Sequence, residues 1–119
     1  MITIHQIPLI SEMAQIVNST GDTNSVSAFA ARMNVSFFGS DKFIHADFKF
    51  YKETIKVDSD DLEVAFEATN LWNMPNITER LVERTSSTSV GDIFEKNERF
   101  FMVDGCGFSE IYFFADELV

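Results

Sequence analysis

The stretch from residue 90 to residue 114 constrains the fold most. Val90-Gly91-Asp92-Ile93-Phe94-Glu95 leads into Lys96-Asn97-Glu98, then Phe100-Phe101-Met102-Val103, then Asp104-Gly105-Cys106-Gly107, then Phe108 to Phe114. Runs of β-branched and aromatic residues alternate with short clusters of turn formers. That spacing predicts two successive hairpins, hence an antiparallel meander. With helical patterning elsewhere in the chain, the expected class is α+β: an antiparallel or mixed sheet of about four to six strands, with two or three helices packed on one face.

The phenylalanines add a second constraint. Phe37-Phe38, Phe100-Phe101 and Phe113-Phe114 are doublets, and adjacent side chains of a strand face opposite sides. Burying one member of each would turn the other outward, and three outward Phe residues make a large apolar patch for a small monomer. Either helices cover both faces, or a partner or second copy covers one. A homodimer or a protein partner is therefore expected.

The rest of the chain supplies the other elements. Ile2 and Ile4 mark a strand ended by Pro8, which cannot donate to a ladder. Ser11 can cap a helix over 12–18 with Met13, Ile16 and Val17 on one face, and a polar loop follows over 18–25. Residues 28–33 suit a short helix or a lead into a strand, Val35 to Phe38 reads as strand, and 41–47 as a helical turn. Residues 48–57 alternate, but the phase slips near Tyr51, which suggests a bulge or a short break. Asp58-Ser59-Asp60-Asp61-Leu62-Glu63 is the clearest helix start, with Asp or Ser as cap and acids at the positive end of the macrodipole. That helix should run to about Thr69 and bury Leu62, Ala65, Phe66 and Thr69. A connection over 70–76 and a short helix over 77–83 are expected next. Without an internal repeat or a linker, residues 1–119 read as one domain.

Charge narrows the function. Nine Lys and Arg face nineteen Asp and Glu, a net charge of -10. Such a surface argues against direct grip on nucleic-acid phosphates. No apolar run approaches the ~18 residues of a membrane span, and the opening residues lack the basic and long apolar regions of a secretory signal. The charge is unevenly spread. Residues 1–57 hold five acids and five bases, whereas residues 58–119 hold fourteen acids and four bases. Asp58, Asp60, Asp61, Glu63 and Glu67 lie on one predicted helix, where residues three or four apart set their Cβ atoms ~5–6 Å apart. Such a row can imitate phosphates and attract the basic groove of a nucleic-acid-binding protein. Glu95 and Glu98 could extend it. The competing reading is a solvated helix face in a fold that mixes the two halves.

Other chemistry is weaker. His5, His45 and Cys106 show no short zinc-type spacing, and no calcium loop is present, so neither metal nor cofactor is expected. Cys106 is the sharpest candidate nucleophile, but Asp-Gly-x-Gly is ordinary turn chemistry. Ser86-Ser87-Thr88-Ser89 could hold an anion or simply hydrogen-bond within its own loop.

Ser87-Thr88-Ser89-Val90-Gly91-Asp92-Ile93-Phe94, with Phe101-Met102-Val103-Asp104 and Gly107-Phe108-Ser109-Glu110-Ile111, resembles the small YodL-like domains of phages and conjugative elements. Val57-Asp58 through Thr69-Asn70 is similar to the helix that precedes this motif in those domains. The likeness spans about residues 57–111, although Ser86 stands where an Arg is expected directly before the motif. It implies a phage or mobile-element protein acting in the host bacterial cytoplasm, on host defence, and it transfers no catalytic residue. Its motif residues Ser89, Val90, Gly91, Asp92, Gly107 and Phe108 read as structural: strand, bend and turn-tying positions. The expected function is a non-enzymatic acidic protein that binds and inhibits or modulates a host bacterial protein with a basic surface. The alternatives are an interaction or oligomerisation module using exposed Phe residues and, more weakly, a small hydrolase or ligand-binding domain.

Overall fold

A computed structural model describes residues 1–8, 27–83 and 85–112. The expected helix over 12–18, the polar loop over 18–25, the Phe113-Phe114 doublet, Arg84, Asp116 and Glu117 lie outside the described residues. Six strands form one antiparallel sheet: β1 (Ile2–Gln6), β2 (Lys52–Val57), β3 (Thr78–Arg80), β4 (Ile93–Lys96), β5 (Arg99–Asp104) and β6 (Gly107–Ile111). Their order is β3-β2-β1-β4-β5-β6. The two expected hairpins are the β4–β5 and β5–β6 pairs, with Phe94 opposite Phe101 and Val103 opposite Phe108. β1 runs through the middle, between β2 and β4. The first and last thirds of the chain are thus joined in one ladder, and the α+β class is as expected.

The helices divide between the two faces. Helix α2 (Leu62–Leu71) sets Ala65 and Ala68 against Ile2, Ile4, Ile55, Val57 and Phe94. Helix α1 (Ser27–Phe38) sets Ala31 and Val35 on the opposite side, with Ile93, Met102, Phe100 and Ile111. The alternation of Ile93 and Phe94 along β4 serves both cores. Of the Phe doublets among the described residues, Phe100 is buried on the α1 face and Phe101 half-buried on the other, whereas Phe37 and Phe38 both stay exposed; helices on both faces replace the expectation that all share one face. Each fully buried Ile or Phe contributes about 1.5–3 kcal/mol, so both faces count in stability.

Three local expectations change. Val35 to Phe38 is the last turn of α1, not a strand. Ala31 and Val35 are four apart and face the core together, and this tertiary burial overrides the β-preference of Val and Phe. The helix stops at Gly39, whose φ of +62° suits the left-handed position after a helix end. Residues 39–50 hold two 3₁₀ segments, Gly39–Lys42 and His45–Phe50, so Phe48 and Phe50 precede β2 rather than belonging to it. The helix expected over 77–83 is instead β3, drawn into the ladder by the free edge of β2, with Ile55 opposite Arg80.

The phase slip near Tyr51 is a break, the boundary between the second 3₁₀ segment and β2; a separate bulge lies at Thr54. Ile4 pairs Ile55, but His5 pairs Glu53, so Thr54 is the extra residue on β2. Glu53 and Ile55 would share a face in a regular strand. The bulge sends Glu53 to the α1 face instead, opposite His5.

The β4–β5 turn carries Asn97 at φ 51° and Glu98 at φ 64°. Positive φ at both central residues is the type I′ geometry, which Asn accepts and Glu resists. Glu98→Gly should raise the unfolding free energy by about 1 kcal/mol, since left-handed backbone costs a non-glycine residue about that much. Urea denaturation measures it. An unchanged or lowered midpoint would contradict this account of the turn.

Candidate functional site

The acidic candidates sort into groups once the fold is known. Asp61 is the N-cap of α2: its Oδ1 accepts from the Glu63 N–H at 2.9 Å and from the Val64 N–H at 3.4 Å. Asp60 accepts from the α-amino group of Met1 at 2.7 Å, which holds its carboxyl below the usual range. Asp58, Glu63 and Glu67 are exposed, with Glu63 and Glu67 one turn apart on the outer side of α2. From Asp58 to Leu71 there are five acids and no base. The segment covering the other face, residues 27–50, holds three bases and two acids. The two covering segments thus differ in charge, but the faces are mixed: Glu53 and Glu95 lie on the α1 face, and Arg80 and Lys96 on the α2 face, Lys96 beside Asp60, Asp61 and Glu63.

Glu95 and Glu98 do not extend this row along α2. Glu98 sits exposed at the β4–β5 turn. Glu95 is on the α1 face, with its Oε1 2.8 Å from His5 Nε2. Alternation along β4 decides this, because Phe94 takes the α2 face.

Beside the acidic helix, Glu63, Phe66, Val103, Asp104, Cys106, Gly107 and Phe108 line an open cleft of about 450 Å³. Among these lining residues, Phe108 packs edge-on to Phe66, with ring centroids 6.3 Å apart. Gly107, at φ +117°, starts β6 immediately after the turn. Cys106 is exposed at the hairpin tip, and no histidine is among the lining residues of the cleft. Asp104 turns to the chain segment after α1. It accepts from Ser40 N–H and from Ser40 Oγ, each at 2.8 Å, and from the Ser109 hydroxyl. Partial burial raises its carboxyl, but the three hydrogen bonds together hold it below the usual range.

The motif Ser89-Val90-Gly91-Asp92 closes around a buried carboxylate. Asp92 is fully buried and accepts from Arg32 Nη1 at 2.6 Å, Gln6 Nε2 at 3.0 Å and the Ser89 N–H at 2.9 Å. Arg32 also donates to Ser89 Oγ at 3.1 Å, and Thr54 donates to Gln6 Oε1 at 2.6 Å. Gly91 is needed for two reasons. Its φ is +97°, and a Cβ there would lie 2.5 Å from the Val35 side chain. Tyr51 donates to the Gly91 carbonyl at 2.7 Å, and burial, chiefly, pushes its phenol well above the usual range. Val90 packs against the α2-face core. The Ser-rich loop is spent internally: Thr88 meets Thr69 Oγ1 at 2.7 Å and Asn70 Nδ2 at 2.9 Å, and Ser87 accepts from Trp72.

His5, Glu53 and Glu95 are the one group of metal-competent side chains among the described residues whose donor atoms all lie within 4.8 Å of one another. No sequence spacing reveals them, since they come from three strands and one reaches the group only through the Thr54 bulge. No family model, curated protein or solved structure matches this chain.

The Asp92 knot generates a pH-dependent prediction. Burial raises the Asp92 carboxyl above the usual range, against the opposing pull of Arg32 and its other donors. The folded state then holds that proton more tightly than the unfolded chain, an advantage present at low pH and lost as pH rises through the folded value. Arg32→Met removes the compensating cation and should cost about 3–5 kcal/mol at neutral pH, with a smaller loss in mild acid. Urea denaturation across a pH series reads the difference. A deficit that stays constant with pH would mean that Asp92 carries no charge needing Arg32.

Proposed function

We propose that this protein is a non-enzymatic phage or mobile-element product that binds a basic surface on a host bacterial protein and inhibits or modulates it. The partner that suits the charge is a nucleic-acid-binding defence factor of the CRISPR or restriction type, whose phosphate-binding groove the acidic helix would occupy. The observation that carries the reading is the run from Asp58 through α2: five acids and no base, with Asp58 exposed just before the helix and Glu63 and Glu67 exposed on it, while its opposite side is anchored in the core. A rigid helix presents carboxylates at fixed spacing, which favours electrostatic capture of a basic groove over diffuse attraction. The resemblance of residues 57–111 to YodL-like domains supports the bacterial cytoplasmic setting. Neither nucleic acid nor membrane is contacted directly in this reading; among the described residues, no helix is long and apolar enough to cross a membrane.

A second reading rests on a different observation. Phe37 and Phe38, at the end of α1, are 72% and 57% exposed, and Ile44 just beyond is 60% exposed. Apolar area of this kind suits a protein–protein contact or a homodimer.

Affinity capture from bacterial lysate at roughly 0.05 and 0.3 M salt separates the two readings, because screening weakens charge pairs and spares apolar contact. Carboxylate-driven capture should yield nucleic-acid-binding proteins at low salt and lose them at high salt. The triple variant Asp58→Lys, Glu63→Lys, Glu67→Lys should reduce capture by more than about tenfold, since three charge reversals each act on close pairs. If the triple variant retains the same partners, the acidic helix is not the contact. Capture that survives high salt but fails in Phe37→Ser would favour the apolar surface.

A further inference from the structure

We propose that His5, Glu53 and Glu95 form a binding site for a divalent first-row transition ion such as Zn²⁺ or Mn²⁺, on the sheet face opposite the acidic helix. The three residues come from β1, β2 and β4, adjacent in the sheet and tied by antiparallel pairing. His5 pairs directly with Glu53, and Glu95 is the diagonal neighbour of His5, opposite Thr3. Their donor atoms lie within 4.8 Å of one another, with His5 Nε2 2.8 Å from Glu95 Oε1. Two ligands each ~2.1 Å from one ion lie at most ~4.2 Å apart, so small rotations of the Glu side chains close the set.

Two further features point to a ligand. The bulge at Thr54 turns Glu53 away from the α2 face and towards His5, and bulges of this kind commonly re-aim a side chain at a functional position. The imidazole is also set in an apolar surround: Phe48 stands edge-on at 5.4 Å between ring centroids, and Phe100 lies at 5.9 Å. His5 is only 6% exposed, whereas Glu53 lies open to solvent. Two carboxylates converging beside aromatic rings form a local negative charge that a divalent cation neutralises. The imidazole nitrogen favours zinc, manganese or iron over calcium and magnesium, which prefer oxygen alone. Ligation through Nε2 would leave the ring proton on Nδ1. Three protein ligands leave coordination positions open on the solvent side, where Glu53 lies.

The test is titration calorimetry of the full chain with ZnCl2 and with MnCl2, together with thermal unfolding in each ion. The expected result is one saturable site per chain and a rise in melting temperature on adding metal. Glu53→Gln and Glu95→Gln should each weaken binding by at least about tenfold, as losses at metal sites do. The double variant Glu63→Gln, Glu67→Gln should bind as the parent does. Glu53 is exposed, so Glu53→Gln keeps the test decisive even if Glu95→Gln disturbs folding. Selective broadening of the His5 ring resonances by Mn²⁺ would identify the imidazole as a ligand. Three results would each overturn the proposal: no saturable binding, binding unchanged in Glu53→Gln, or binding lost in the Glu63/Glu67 variant. Equal competition by Ca²⁺ would do the same.

Discussion

The buried Arg32–Asp92 ion pair is the interaction on which the arrangement of this protein depends. A carboxylate without solvent exposure is tolerable only when its lone pairs are filled, and here each filling group comes from a different part of the chain. Gln6 closes β1, Arg32 lies in the middle of α1, and the Ser89 N–H belongs to the loop before β4. The Asp92 main chain continues the closure: its N–H reaches the Ser89 carbonyl at 3.0 Å, and its carbonyl accepts from Val103 N–H at 2.9 Å. One side chain thus joins the central strand, the helix on one face and the entry to the C-terminal hairpins. Replacing it by an apolar group would require refilling a site shaped for charge.

This closure has consequences for both surfaces. It fixes the start of β4, and alternation from there sends Phe94 to the α2 face and Ile93 and Glu95 to the α1 face. The acidic helix then rests on a core that includes Phe94, while Glu95 is delivered to His5. The two candidate surfaces lie on opposite sides of one sheet. They draw on different physics: long-range charge on α2, and short-range donor geometry around His5.

Local chemistry made much of this legible. The β4–β5 and β5–β6 hairpins were readable because Lys96-Asn97-Glu98 and Asp104-Gly105-Cys106-Gly107 are turn formers whose preferences need no distant partner. The start of α2 was readable for the same reason, since Asp61 caps the helix two and three residues ahead of it. Asp92 was readable as a residue that ties its own turn, but not as the partner of Arg32, sixty positions away. Val35 to Phe38 misled because burial of Ala31 and Val35 decides their state. Thr78–Arg80 misled because a three-residue strand exists only through its neighbour. Charge counting alone grouped Glu95 with Glu63, since a charge sum holds no information about faces. Glu53 was out of reach, because its direction depends on one extra residue in β2.

The most direct test of the central claim is native-state hydrogen exchange at the amides of Ser89, Gly91 and Val103. These N–H groups donate to Asp92 Oδ2, to the Val103 carbonyl and to the Asp92 carbonyl. If the Asp92 closure holds the elements together, all three should exchange only by global unfolding, with the same free energy and denaturant dependence as the most protected amides of β1. Exchange of Ser89 and Gly91 through a low-energy local opening, while β1 stays protected, would contradict it.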